Sequence, residues 1–268
     1  MSKLVIKIVQ QILSLFKVRL IKSSDYNHLQ EVLNKYSITG RDQLLRLLSK
    51  NTSIDFESLC GMSKAQIGQD IFVISVLKGK KRGFFVEFGA TDGVSLSNTY
   101  MLEKSFGWDG ILVEPGKNWK NDLVLNRTAK VDFRAVSSSS GEYFEFLESS
   151  TPEFSTIRGY ENNGGHPRVI KERYKVESVS LNDLLDNYKA PKIIDFMSID
   201  TEGTEFSILE SFNFNKYKFA IIVCEHNYSS NRQKVFDLLS ERGYRRIWSE
   251  FTQFDDWFIL PELIDISF

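Results

Sequence analysis

The stretch Phe84–Gly93, "FFVEFGATDG", has acids and glycines of the right type and spacing to hold a ligand. Glu87 stands two residues before Gly89, and Asp92 stands directly before Gly93. An apolar run precedes them, so the glycines fall where a buried strand turns toward its next element. Glycine at such a turn lets the backbone approach a bound molecule closely. A dinucleotide would call for G-x-G-x-x-G, with a helix N-terminus facing its pyrophosphate. That spacing is missing, and carboxylates around the turn would repel phosphate. They suit a cation. S-adenosylmethionine carries an ammonium and a sulfonium and no phosphate. Glu87 would accept from the ammonium, and the backbone of Gly89 and Ala90 would lie against the methionine part, with Asp92 and Gly93 closing the turn.

Further acids stand where later strands should end. "ILVEP" ends in Glu114, 27 residues after Glu87. An acid at the end of the second strand is placed to accept from both ribose hydroxyls of an adenosine. Ala135 and Val136, at the end of a third strand, would border the adenine. "SIDTEGTE" brings Asp200, Glu202 and Glu205 within six residues, and "VCEHN" adds Glu225 and His226. Carboxylates crowded at one sheet edge repel, so one should hold a proton at raised pKa or share a cation. Glu205 fits equally well in the first turn of a following helix, where the dipole favours an acid. His226, directly after a buried strand, is the candidate general base, with Asp200 or Glu202 orienting it or binding the acceptor.

Alternating strands and helices must position these groups. Apolar runs at 84–88, 110–114, 131–136, 193–200 and 219–225 read as buried strands, and 95–106, 117–127 and 230–242 as helices. Uninterrupted apolar strands imply a parallel sheet covered on both faces. "YRRIWSEF" and "DDWFILPE" read as a closing antiparallel pair. Residues 142–180 break the alternation and read as a β-hairpin arm whose tip, 148–172, would cover an acceptor through Tyr160, His166 and Arg168. Ser180 and Asp183 have the spacing of a capping box.

The bulk numbers set limits. With 42% apolar residues in 268 and a net charge of −1, the chain can bury a sizeable core and has no basic excess for nucleic acid. Two cysteines are too few for a disulfide framework, which points to a reducing cytoplasm. No uncharged apolar run reaches the ~18 residues of a spanning helix. The segment 3–22 nonetheless has five basic residues and no acid, with polar positions recurring on one helical side. Such a helix can lie peripherally at the inner face of an anionic membrane, or pack on its own domain or a partner chain.

Taken together, "FFVEFGATDGVSLSNTYMLE", "GWDGILVEP", "RAVSSSSG", "MSIDTEGTEFSIL" and "VCEHN" resemble the FkbM family of S-adenosylmethionine-dependent methyltransferases. The likeness spans about Gln66 to Pro261 and includes the pair Gln69-Asp70. It implies a Rossmann-like class I methyltransferase fold at 66–268: a mostly parallel seven-stranded sheet with helices on both faces and an arm insertion, after a helical extension at 1–65. It also implies O-methylation of a sugar hydroxyl in a glycan, lipopolysaccharide or glycosylated natural product. Glu87, Gly89, Asp92 and Glu114 would be cofactor residues. Asp200, Glu202, Glu225 and His226 would lie near the acceptor, and Asp200 and Glu225 are the candidate ligands of a divalent metal such as Mg²⁺. The competing readings are a nicotinamide-dependent sugar dehydrogenase or epimerase, and a non-catalytic subunit of a glycan-assembly complex that keeps the cofactor fold.

Overall fold

The computed structural model describes residues 40–161 and 168–264. The basic segment 3–22 and His166 lie outside them. The chain divides into two compact units, 1–42 and 43–268, and the second carries both sheets. That unit begins upstream of the expected boundary at 65/66. Leu45, Leu48 and Leu59 are buried in the same apolar cluster as the main helices, so 43–65 packs as part of the core.

The main sheet has seven strands. β1 (Phe84–Phe88), β2 (Asp109–Val113) and β3 (Lys130–Asp132) run outward in one direction. The chain then returns to place β8 (Ile193–Ile199) beside β1, followed by β9 (Lys218–Glu225), with β11 (Asp255–Ile259) and β10 (Arg245–Ile247) closing the far edge. β1 pairs in parallel with both β2 and β8, and β8 with β9; β11 alone runs antiparallel to its neighbours. The strand order therefore reverses between β1 and β8. At such a switch point the loops leave in opposite directions and open a crevice at the carboxyl edge.

Residues alternate across this sheet as period two requires. Phe85, Leu112, Phe196, Ile221 and Trp257 face the cluster beneath α2 (Gln69–Val76), α3 (Tyr100–Phe106) and α4 (Lys120–Asn126). Val86, Ile111, Met197, Ile222 and Phe258 face the opposite cluster beneath α5 (Leu181–Asn187), α6 (Glu205–Glu210) and α7 (Asn231–Glu241). α1 (Phe56–Met62) precedes this arrangement. The Ser180 hydroxyl caps α5 by accepting from the Asp183 N–H at 3.1 Å, as the capping spacing leads one to expect.

Two boundaries differ from the sequence reading. The apolar run 131–136 divides: β3 ends at Asp132, and β4 (Ala135–Ser137) leaves the main sheet. Asp132 is gripped by Arg134 through its backbone N–H and guanidinium, which folds the chain back between the two strands. β4 joins a second sheet with β7 (Ile170–Ser180), β5 (Tyr143–Ser149) and β6 (Thr156–Ile157). That sheet is the expected arm, in which β5 and β7 pair as antiparallel neighbours. α3 starts only at Tyr100, because Thr91, Gly93 and Leu96 all have positive φ and hold 91–98 in turns.

Candidate active site

At the switch point the structure opens a cavity of about 430 Å³. The ends of β1, β2, β8 and β9 form its floor, and residues 151–157 of the arm form a wall. The β1 turn is shaped by its glycines. Gly89 has φ +73°, and a Cβ there would stand 2.4 Å from the carbonyl oxygen of Asp200, so only glycine lets β1 and β8 close at this point.

Glu87 lines the cavity, yet its carboxylate is already occupied. It accepts from the Ser97 hydroxyl at 3.0 Å, the Asn98 N–H at 2.7 Å and the Thr99 hydroxyl at 2.5 Å. The Arg127 guanidinium, fully buried, lies 3.6 Å away and donates to Glu103 at 2.8 Å. Glu87 thus organises the 97–99 turn. Asp92 accepts from the N–H groups of Val94 and Ser95 and shapes the turn from outside the cavity, while Ala90 and Gly93 are buried in its framework. These three support the cavity and are not among the residues lining it.

Glu114 does line it. Its carboxyl accepts from the N–H groups of Thr91 at 3.0 Å and Gly116 at 2.7 Å. Burial, reinforced by the nearby Glu148 charge, pushes it up to about 7. Ala135 and Val136 border the same end. Glu148 accepts in turn from the Tyr174 hydroxyl of β7, which takes the Lys117 N–H, so the arm is tied to the loop after β2.

The other end of the cavity is acidic. Donor oxygens of Asp200, Glu202 and Glu225 lie within 4.8 Å of one another. Burial, with the charges of its neighbours, pushes Glu225 up to about 12 and raises Asp200 well above the carboxylate range. The two carboxyls share a hydrogen bond, so this pair carries a proton at neutral pH. Burial also raises Glu202 to about 7, although Arg168 donates to it at 2.5 Å and opposes the shift. The crowding visible in the sequence has the electrostatic consequence expected of it.

Several expected site residues stand elsewhere. His226 is buried and does not line the cavity. It faces a separate void of about 10 Å³ on the α7 side. Its Nδ1 accepts from the Tyr228 N–H at 2.9 Å, and burial plus the Arg232 charge lowers it to about 4. The turn at Asn227 and Tyr228, both at positive φ, carries the ring away from the strand edge. Glu205 accepts from the Thr201 N–H and the Gly203 N–H in the first turn of α6, so it is a helix-terminal acid and not a cavity residue. Tyr160 packs on the arm's own cluster. Arg168 spends its guanidinium on Glu202, the Phe154 carbonyl at 2.8 Å and the Glu161 carbonyl at 2.7 Å, which leaves it anchoring the arm and not receiving an anionic acceptor.

Asn98 and Asp255 also line the cavity, and neither is among the site residues expected from the sequence. Asp255 reaches the cavity because β11 runs antiparallel, which brings its first residue to the carboxyl edge of the other strands. Gln69 donates to it at 2.8 Å, and burial raises it to about 7. The acid pair opening "DDWFIL" was the available signal.

A switch-point cavity with an acid at the β2 end, a glycine turn after β1 and no phosphate-binding loop suits a sulfonium nucleoside. The model of the Methyltransferase FkbM domain matches residues 87–246, more than half of the chain. The chain belongs to the FkbM methyltransferase family. Its match runs from Glu87 to Arg246 and so spans β1 to β10, including both acidic ends of the cavity. Among solved structures this FkbM methyltransferase is similar to a precorrin-6y C5,15-methyltransferase from Geobacter metallireducens GS-15. The two are 10% identical, with 71% of this chain and 85% of that one covered and a TM-score of 0.40. No curated protein sequence matches the FkbM chain. No helix among its described residues is long and apolar enough to cross a membrane.

Proposed function

We propose that this FkbM methyltransferase transfers a methyl group from S-adenosylmethionine to a sugar hydroxyl in a glycan, lipopolysaccharide or glycosylated natural product. The observation that carries the reading is the division of one cavity into two ends. Glu114, Ala135 and Val136 suit an adenosine, and the proton-sharing Asp200–Glu225 pair suits an acceptor hydroxyl.

S-adenosylmethionine supplies an electrophilic methyl on sulfonium when bound. The chain's own work is alignment and proton removal. The arm wall at 151–157 and the β8 end hold the acceptor oxygen in line, and alignment of this kind supplies several kcal/mol in favourable cases. A carboxylate oxygen of the Asp200–Glu225 pair would take the proton that the acceptor hydroxyl gives up as the methyl leaves sulfur for oxygen, worth roughly 10²–10⁴-fold. This assigns the base to the pair in place of His226, which the fold holds behind Glu225. Asp200, Glu202 and Glu225 also form an all-oxygen donor set that fits a hard divalent cation such as Mg²⁺. Held there, it would lower the pKa of an acceptor hydroxyl.

For the segment 3–22 two readings are proposed, packing on its own domain or a partner chain and peripheral contact with the inner face of an anionic membrane, and the second has a direct test. If it contacts the membrane, deleting it should abolish co-sedimentation with anionic liposomes, most strongly at low salt, whereas full-length protein that ignores such liposomes places the segment on protein. The function is tested by mass spectrometry of glycans from cells with and without the gene product. A difference of one methyl mass is expected; purified protein that neither binds S-adenosylmethionine nor changes any glycan refutes it.

A further inference from the structure

Among the described residues lining the cavity, one buried side-chain polar atom has no hydrogen-bond partner: Oδ1 of Asn98. A buried acceptor left without a donor costs about 1–3 kcal/mol, so a protein that keeps one beside a ligand cavity invites a donor from the ligand. The rest of Asn98 is tightly placed. Its N–H donates to Glu87 Oε1 at 2.7 Å, and its Nδ2 donates to the Ser198 hydroxyl at 2.9 Å. Glu87 and Ser198 are register partners across β1 and β8, so the amide sits over the seam where the strand order reverses.

Resting on the reading of this cavity as an S-adenosylmethionine site, we propose that Asn98 receives the α-ammonium of the cofactor's aminocarboxypropyl group. Two features favour Asn98 over the acids nearby. Glu87, the acid nearest in sequence to the glycine turn, already accepts from three donors. Asp200 and Glu225 stand in the cluster with Glu202, and Glu225 already accepts from the Asn227 side chain at 2.7 Å. Position agrees as well. Strands lie ~4.8 Å apart, so the β1–β8 seam is roughly 7 Å along the sheet edge from the end of β2, where Glu114 would meet the ribose. That separation is comparable with the reach from ribose to α-ammonium along the thioether chain. Ser198 acts as a positioning residue that holds the amide so that its oxygen is the group left over.

The test compares two ligands by calorimetry. S-adenosylhomocysteine carries the aminocarboxypropyl group, and 5′-methylthioadenosine has the same thioether nucleoside without it. Asn98→Ala should weaken S-adenosylhomocysteine roughly ten- to a hundredfold, as for loss of a hydrogen bond to a charged group, and leave methylthioadenosine unchanged. Asn98→Asp keeps an acceptor at the same place and should retain most of the preference for the longer ligand. It also serves as the readable variant if Asn98→Ala fails to fold. Equal weakening of both ligands by Asn98→Ala, no weakening of either, or loss of the preference in Asn98→Asp overturns the assignment. A wild-type protein that binds neither ligand instead overturns the cofactor reading beneath it.

Discussion

Replacing Glu225 by Gln should make this protein more stable while removing its chemistry. In an unfolded chain Glu225 ionises near 4.5, whereas in the folded site burial and the Asp200 and Glu202 charges hold its proton to about 12. Between those values the folded state binds more protons than the unfolded state, so stability falls as pH rises above 4.5. By pH 7 that is about two and a half units at 1.36 kcal/mol each, a loss on the order of 3 kcal/mol. Gln does not titrate. Its amide N–H can donate to Asp200 where the shared proton did, and its oxygen can still accept from Asn227, which donates to Glu225 at 2.7 Å. For a unit of this size 1 kcal/mol moves Tm by about 2–4 °C, so Glu225→Gln should melt roughly 6–12 °C above wild type at pH 7. The assay is thermal unfolding of both proteins in EDTA from pH 5 to pH 8.5, with methyl transfer measured alongside. Wild type should lose stability across that range more steeply than the variant, and the variant should lose activity by about 10²-fold or more. Parallel pH profiles, or a variant that melts below wild type at pH 8, would refute the picture of a carboxyl pair holding a buried proton.

Gly89→Ala should destabilise by about 1–3 kcal/mol from positive-φ strain alone, with more from a Cβ placed 2.4 Å from the Asp200 carbonyl; urea unfolding would measure it, and cofactor affinity should fall with it. Arg127→Met should cost about 3–5 kcal/mol, because it strands Glu87 and Glu103 without their buried guanidinium; wild-type stability in this variant would show that hydroxyls and N–H groups suffice. Glu103 is pushed up by burial, but Arg127 and the Thr128 N–H outweigh this and bring it down to about 2 from 4.5. Its contribution is therefore complete above pH 4.5 and lost as pH falls through 2, and Glu103→Gln should flatten the acid limb of the unfolding curve. His226→Ala should leave methyl transfer within about tenfold of wild type, since the loss of a placed general base costs more than that; a larger fall in kcat at unchanged stability would return the imidazole to the reaction.

The order of strands and helices, the glycine turn, and the gathering of acids at strand ends are all legible in the chain itself. These follow from local rules: period-two and period-3.6 apolarity, the conformational freedom of glycine, and the position at which an apolar run stops. Glu87, Glu114, Asp200 and Glu225 could be picked out because each sits where such a run ends. Which of these groups meet a ligand is a matter of tertiary packing. His226 follows Glu225 directly, yet a turn at positive φ buries it behind the strand. Arg127 comes from the end of α4 to lie beside Glu87, and the hydroxyls that fill that carboxylate come from a turn in contact with the same guanidinium. Gln69 and Asp255 hydrogen-bond across a separation of 186 residues, because an antiparallel last strand brings its first residue to the edge where the parallel strands end. Periodicity reports which face a residue takes within its own element; which partner it finds depends on how the elements are ordered in the sheet, and that is settled by packing over the whole chain.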